Sequence, residues 1–250
     1  MGWSGARMIG PPRVGFSGVC GMEYNYEGRT IFGASRAEER ISFVRSVYLW
    51  LMGGFAVAAV GAMSTPYVFI YLSRAFGNFA IWPILIGYFG AFFWAKSVSR
   101  TKPWNRYAYA LFTYVSGIIA GIAMIAAAQA AGPSIVLTAF AMTAADFLVL
   151  SAVAFITKKD FSFLASFVTV GLVVAMIAML IGFFVHVEIF HLAISAIIVI
   201  ACSAKILWDT STMLKTGDYS DAAGFALSLF ISLLNIFLNL LRLLSGGRRN

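Results

Sequence analysis

Three ionisable residues stand inside long apolar runs: Asp146 within residues 133–157, and Lys205 and Asp209 within residues 190–214. A charge at the centre of a bilayer costs at least ~2.5–3.5 kcal/mol, so such groups are expected to face a bundle interior or a wet cavity. Lys205 and Asp209 are four residues apart, which puts them on one helix face and within side-chain reach. Asp146, near the middle of its own run, is expected to reach the same interior. Two chemistries fit this constellation. One is an internal ion pair that fixes helix packing; the other is a proton- or cation-sensitive site. A bare calcium site is disfavoured, because calcium takes several oxygen ligands and Lys205 brings a competing positive charge.

A second pattern lies in the last apolar run. Ser228, Ser232, Asn235 and Asn239 are spaced by four, three and four, forming one polar stripe on a segment otherwise of Leu, Ile and Phe. Such a stripe faces lipid only at a cost. The segment is therefore expected to be central, with its stripe turned toward Asp209 and used as hydrogen-bond glue between helices. His186, Glu188 and His191 cluster in FFVHVEIFH, but the spacing is not that of a zincin and no metal site is expected. Cys20 and Cys202 form no disulfide framework or metal cluster. No Ser-His-Asp set, P-loop or Gly-rich dinucleotide motif occurs, so the chain reads as a non-enzyme without cofactors.

The elements that position these residues follow from composition. The chain has 250 residues, 61% hydrophobic and 11% charged, with mean hydropathy +0.88. A soluble domain carries about a quarter charged residues, so this apolar surface requires lipid as its solvent. Apolar runs at 46–69, 78–98, 106–129, 133–157, 161–185, 190–214 and 222–244 are each long enough for about 30 Å of hydrocarbon. The connections TKPWN, AAGP, TKKD and KTGDYSD are short and rich in breakers, which predicts antiparallel neighbours. The expectation is an all-α integral membrane protein, a seven-helix bundle over residues 45–245. Residues 1–44 are expected to form a flexible cytoplasmic tail, with a short amphipathic helix from Ser35, and residues 246–250 a basic C-terminal tail.

The net charge of +8 does not indicate nucleic acid, because the cations sit in short loops and at helix ends. The N-terminal segment (Arg7, Arg13, Arg29, Arg36, Arg40, Arg45), the second connection (Lys96, Arg100, Lys102, Arg106) and the fourth (Lys158, Lys159) are basic. The first, third and fifth connections hold Arg74 between them. This alternation predicts a cytoplasmic N-terminus. The C-terminal Arg242, Arg248 and Arg249 break it, so the last helix either spans against the rule or is re-entrant. Gly53, Gly54 and Gly61 in the first run, and the Gly117-xxx-Gly121 pair in the third, are expected to serve close helix packing within the chain.

Four segments carry a family resemblance: FVRSVYLWLMGG (43–54), TKKDFSFLASF (157–167), ILWDTSTML (206–214) and ALSLFISLLNIFLNLLRLL (226–244). They resemble the Bax inhibitor-1 family, over about residues 40–245. HLAISA (191–196), Asp209-Thr210-Ser211 and SLFISLLNIF (228–237) are most similar to its bacterial YccA branch. The resemblance implies six helices around a central seventh, in a bacterial inner membrane. It also implies a role as modulator and substrate of the ATP-dependent membrane protease FtsH, whose handle is the N-terminal tail. The family's calcium-leak branch uses two facing aspartates as a pH-sensitive latch. Asp209 matches the first; Ser232 stands where the second would be, and Gly87 where a second-helix glutamate would be. A calcium or proton leak using Asp209 with Asp146 is the alternative function.

Overall fold

The computed structural model describes residues 26–157, 159–182, 187–215 and 219–246, and side chains from Glu38 onward apart from Met179. Most of the expected N-terminal tail, His186, Lys158, Arg248, Arg249 and Cys20 lie outside the described residues. The chain divides into two units, Met1–Ala37 and Glu38–Asn250. Among the described residues seven α-helices follow one another: α1 (Tyr26–Phe76), α2 (Ile81–Ser97), α3 (Trp104–Ala131), α4 (Ser134–Thr157), α5 (Phe163–Gly182), α6 (Glu188–Lys215) and α7 (Ala222–Gly246). Among the described residues there is no strand. Each apolar run thus becomes a helix, as expected where every backbone N–H and C=O must be satisfied within its own segment.

Six of these helices are long and apolar enough to cross a membrane. The exception is α2, whose 17 residues fall short of the expected run 78–98. Its start is delayed by a turn at Gly77–Phe79, where Gly77 has φ +57°. α7 is one unbroken helix of 25 residues, long enough to cross. The break between α3 and α4 falls at Gly132, with φ +90°, whose N–H bonds the Ala128 carbonyl at 2.9 Å. A residue with a Cβ is strained in that conformation, and Pro133 next to it cannot continue the helix.

The expected close packing at glycine is visible between α1 and α3 at Gly54, Gly61, Gly117 and Gly121, but not at Gly53, where an added Cβ would meet nothing within 4 Å. A Cβ added at Gly61 would fall on the Tyr114 carbonyl, and one at Gly117 on the Ala58 carbonyl. The two backbones therefore touch through bare glycine, the close approach that small residues allow in lipid. Pro66 has no N–H to give the Ala62 carbonyl. That carbonyl lies over Gly121, 2.9 Å from where a Cβ would be. Thr65, 1% exposed, donates to the Gly61 and Ile118 carbonyls at 3.2 and 3.3 Å, adding a polar link across the seam.

Polar contacts at the connections show which helix ends share a level. Lys215, ending α6, pairs with Asp160 in the α4–α5 connection at 3.4 Å, and Ser211 donates to the Lys159 carbonyl at 3.1 Å. Arg100, between α2 and α3, lies 3.5 Å from Asp221, whose other oxygen accepts the Gly224 N–H at 2.9 Å and so caps α7. Ser162 donates to Asp160 through both its hydroxyl and its amide, holding that exposed carboxyl below the usual carboxylate range.

Candidate functional site

The deepest polar chemistry lies where α6 crosses α7. α7 packs against α2, α3, α4 and α6, and 56% of its apolar 18-residue stretch is buried, the largest share among the candidate spans of the described residues. Its inner face is filled by Leu229, Phe230 and Ile236, all fully buried. α6 presents Ile198, Cys202, Ile206, Asp209 and Met213 to the interior. The positions from Ile198 onward are spaced by four, four, three and four, the repeat that aligns side chains on one helix face.

On this face Lys205 Nζ donates to Asp209 Oδ2 at 2.7 Å and to Ser228 Oγ at 2.6 Å. The Ser228 hydroxyl in turn donates to the same Asp209 oxygen at 2.7 Å. The three groups close a ring that joins two helices and leaves no net charge. The Lys205 and Asp209 side chains are 20% and 10% exposed, so the pair is largely desolvated. A pair at that depth is tolerated when attraction and hydrogen bonds together offset the loss of water. Lys205 Nζ also lies 5.5 Å from the centre of the Trp208 ring, a cation–π contact.

Asp146 is not part of the ring. Its Oδ2 accepts a hydrogen bond from Ser203 Oγ at 3.0 Å. At about 100° of turn per residue, Ser203 points roughly 120–160° away from Asp209 and Lys205 around α6. The structure thus brings Lys205 and Asp209 together and places Asp146 on a different side of the same helix. Ser203 carries no signal in the sequence, being one small hydroxyl in an apolar run whose partner lies 57 residues away in the chain.

Of the polar stripe, Ser228 is the member that bonds across to α6. Ser232 donates to the Ser228 carbonyl at 3.1 Å, Asn235 to Ile231 at 2.8 Å and Asn239 to Asn235 at 2.8 Å, all on their own helix. Ser232 is buried at 1% exposure, and among the described residues no acid bonds it in the way that Asp209 bonds Ser228. Asn239 lines a cavity of about 820 Å³ at the far end of α7, with Glu188, His191 and Arg242 on its wall. Among the described residues no group of three or more His, Cys, Asp or Glu is placed to hold a metal ion.

Residues 40–250 match the family described as inhibitor of apoptosis-promoting Bax1. An uncharacterized protein of Pseudomonas aeruginosa is 34% identical over 170 residues, covering 67% of this chain and 76% of that protein. One from Campylobacter jejuni is 30% identical over 224 residues, covering 88% and 95%. The Escherichia coli protein named modulator of FtsH protease YccA is 32% identical over 166 residues, covering 66% and 75%.

Proposed function

Since the chain belongs to the Bax inhibitor-1 family, we propose that it is an inner-membrane protein of the YccA type that modulates FtsH and is itself an FtsH substrate. The observation that carries this reading is the closed ring of Lys205, Asp209 and Ser228. It clamps α6 to the most buried helix and engages Asp209, the acid that matches the first member of an aspartate latch, with both Lys205 and Ser228. A bundle held in this way resists being pulled out of the membrane. Bound by its N-terminal segment, it occupies the protease and spares other substrates. The similarity to a protein named as an FtsH modulator supports the same partner.

This reading includes seven passes, six of them arranged around α7, with the N-terminal segment on the cytoplasmic side. The 17 residues of α2 span about 26 Å, at the lower limit for crossing. Deleting residues 1–40 is expected to lengthen the protein's lifetime in cells that contain FtsH. An unchanged lifetime, together with no co-purification of the protease, would sink the proposal.

A second reading, a pH-sensitive calcium or proton leak using Asp209 with Asp146, draws on Asp146 itself. Half-buried in α4, that carboxyl meets a serine hydroxyl and has no cation partner among the described residues. Liposomes containing the purified chain discriminate. A pH-dependent flux abolished by Asp209→Asn favours the leak; the absence of flux favours the modulator.

A further inference from the structure

At the end of the bundle that carries the α4–α5 and α6–α7 connections, a cleft of about 470 Å³ opens between α1, α4 and α6. Four cations line it: Arg40 and Arg45 from α1, Lys159 from the α4–α5 connection and Lys215 from the last turn of α6. Three different parts of the chain therefore aim positive charge at one space. Asp160 meets Lys215 at 3.4 Å with both side chains well exposed, an arrangement that neutralises little. Arg40, Arg45 and Lys159 have no carboxylate partner among the described residues, although Glu38 and Glu39 precede Arg40 on α1.

The cleft is also apolar. Ile41, 67% exposed, and Phe155, 37% exposed, line it beside the cations. The cleft sits where the apolar part of α1 begins and where α4 and α6 end. That is the level at which hydrocarbon gives way to headgroups. A soluble anion needs the charge and has no use for the exposed apolar surface. A molecule with a phosphate at one end and acyl chains at the other matches both.

We infer that this cleft binds the headgroup of an anionic phospholipid, with the phosphate held among Arg40, Arg45, Lys159 and Lys215 and the acyl chains running down past Ile41 and Phe155. Basic pockets between membrane helices select such lipids by charge at the interface. Bound there, the lipid bridges α1 to α4 and α6.

The test is a lipid titration of the full chain in neutral detergent, read by native mass spectrometry. Phosphatidylglycerol, phosphatidylcholine and inorganic phosphate are compared. Phosphatidylglycerol is expected to bind saturably, and neither phosphatidylcholine nor millimolar inorganic phosphate is expected to displace it. The double variant Arg45→Gln/Lys159→Gln is expected to weaken that binding roughly 30-fold, from about 5-fold for each cation lost near an anionic surface. Arg45→Lys/Lys159→Arg keeps the charge and is expected to keep the binding. Arg74→Gln, at the other end of α1, serves as the control and is expected to change nothing. Equal binding of phosphatidylcholine overturns the inference, and so does full displacement by inorganic phosphate, which would assign the cleft to a soluble anion. An equal loss with Arg74→Gln overturns it as well, because diffuse charge would then account for the attraction.

Discussion

α5 and α7 are both built almost wholly of apolar residues, yet they occupy opposite positions. Of the apolar 18-residue stretch of α7 56% is buried, against 12% of that of α5. On α5 the side chains of Phe163, Phe167, Val170, Met176 and Leu180 are all more than half exposed. In water the more apolar helix would be driven inward. In a bilayer lipid tails solvate Leu and Val as well as a protein interior does, so apolarity no longer sorts helices. Polar groups and close backbone contacts do the sorting. α7 brings Ser228 to the Lys205–Asp209 pair. α5 offers Thr169, which donates back to its own Ala165 carbonyl, and Gly171, where an added Cβ would lie 3.4 Å from Ala201 of α6.

The strongest way to break this contrast is to remove the cation. Lys205→Met leaves Asp209 largely desolvated with Ser228 as its remaining hydrogen-bond donor. Breaking one half of a buried pair costs about 3–5 kcal/mol, so a large drop in the unfolding midpoint in detergent is expected. Replacing both partners, Lys205→Met with Asp209→Leu, should recover most of it, because no charge is then stranded. If the single variant unfolds as the parent does, the ring does not hold α7 in place. Ser228→Ala is the milder intervention. It removes the bridge and keeps the ion pair, so a loss of about 1–2 kcal/mol is expected, measured by the same midpoint.

Much of this contrast can be read along the chain, and the unreadable part has a physical cause. The seven helices follow from uninterrupted apolarity and from breakers such as Gly132-Pro133. The Lys205–Asp209 contact follows from an i, i+4 spacing on one helix. Ser228 is legible as polar, but its role depends on which turn of α7 meets which turn of α6, and helix periodicity does not encode that register. The same holds more strongly for Asp146, whose Ser203 partner sits on a face of α6 that no local pattern marks. Asn235 and Asn239 show the converse: a short amide can satisfy itself on its own helix, so a polar stripe need not be an interhelical bond.

The smallest effect is expected on α5, and it is the sharpest test of the sorting rule. Val170 is 62% exposed in the isolated chain. If that face meets only lipid, Val170→Leu exchanges one well-solvated apolar side chain for another. Substitutions away from packed features stay within about 0.5 kcal/mol, and Leu is the slightly better helix former. The unfolding midpoint in detergent, and in bilayer discs, should therefore be unchanged. In bilayer discs a fall as large as that of Ser228→Ala would mean that α5 is packed against protein in the membrane, where an added methylene strains the contact. The exposed surface of α5 would then be an interface, and its contrast with α7 would reflect a missing neighbour rather than the chemistry of the two helices.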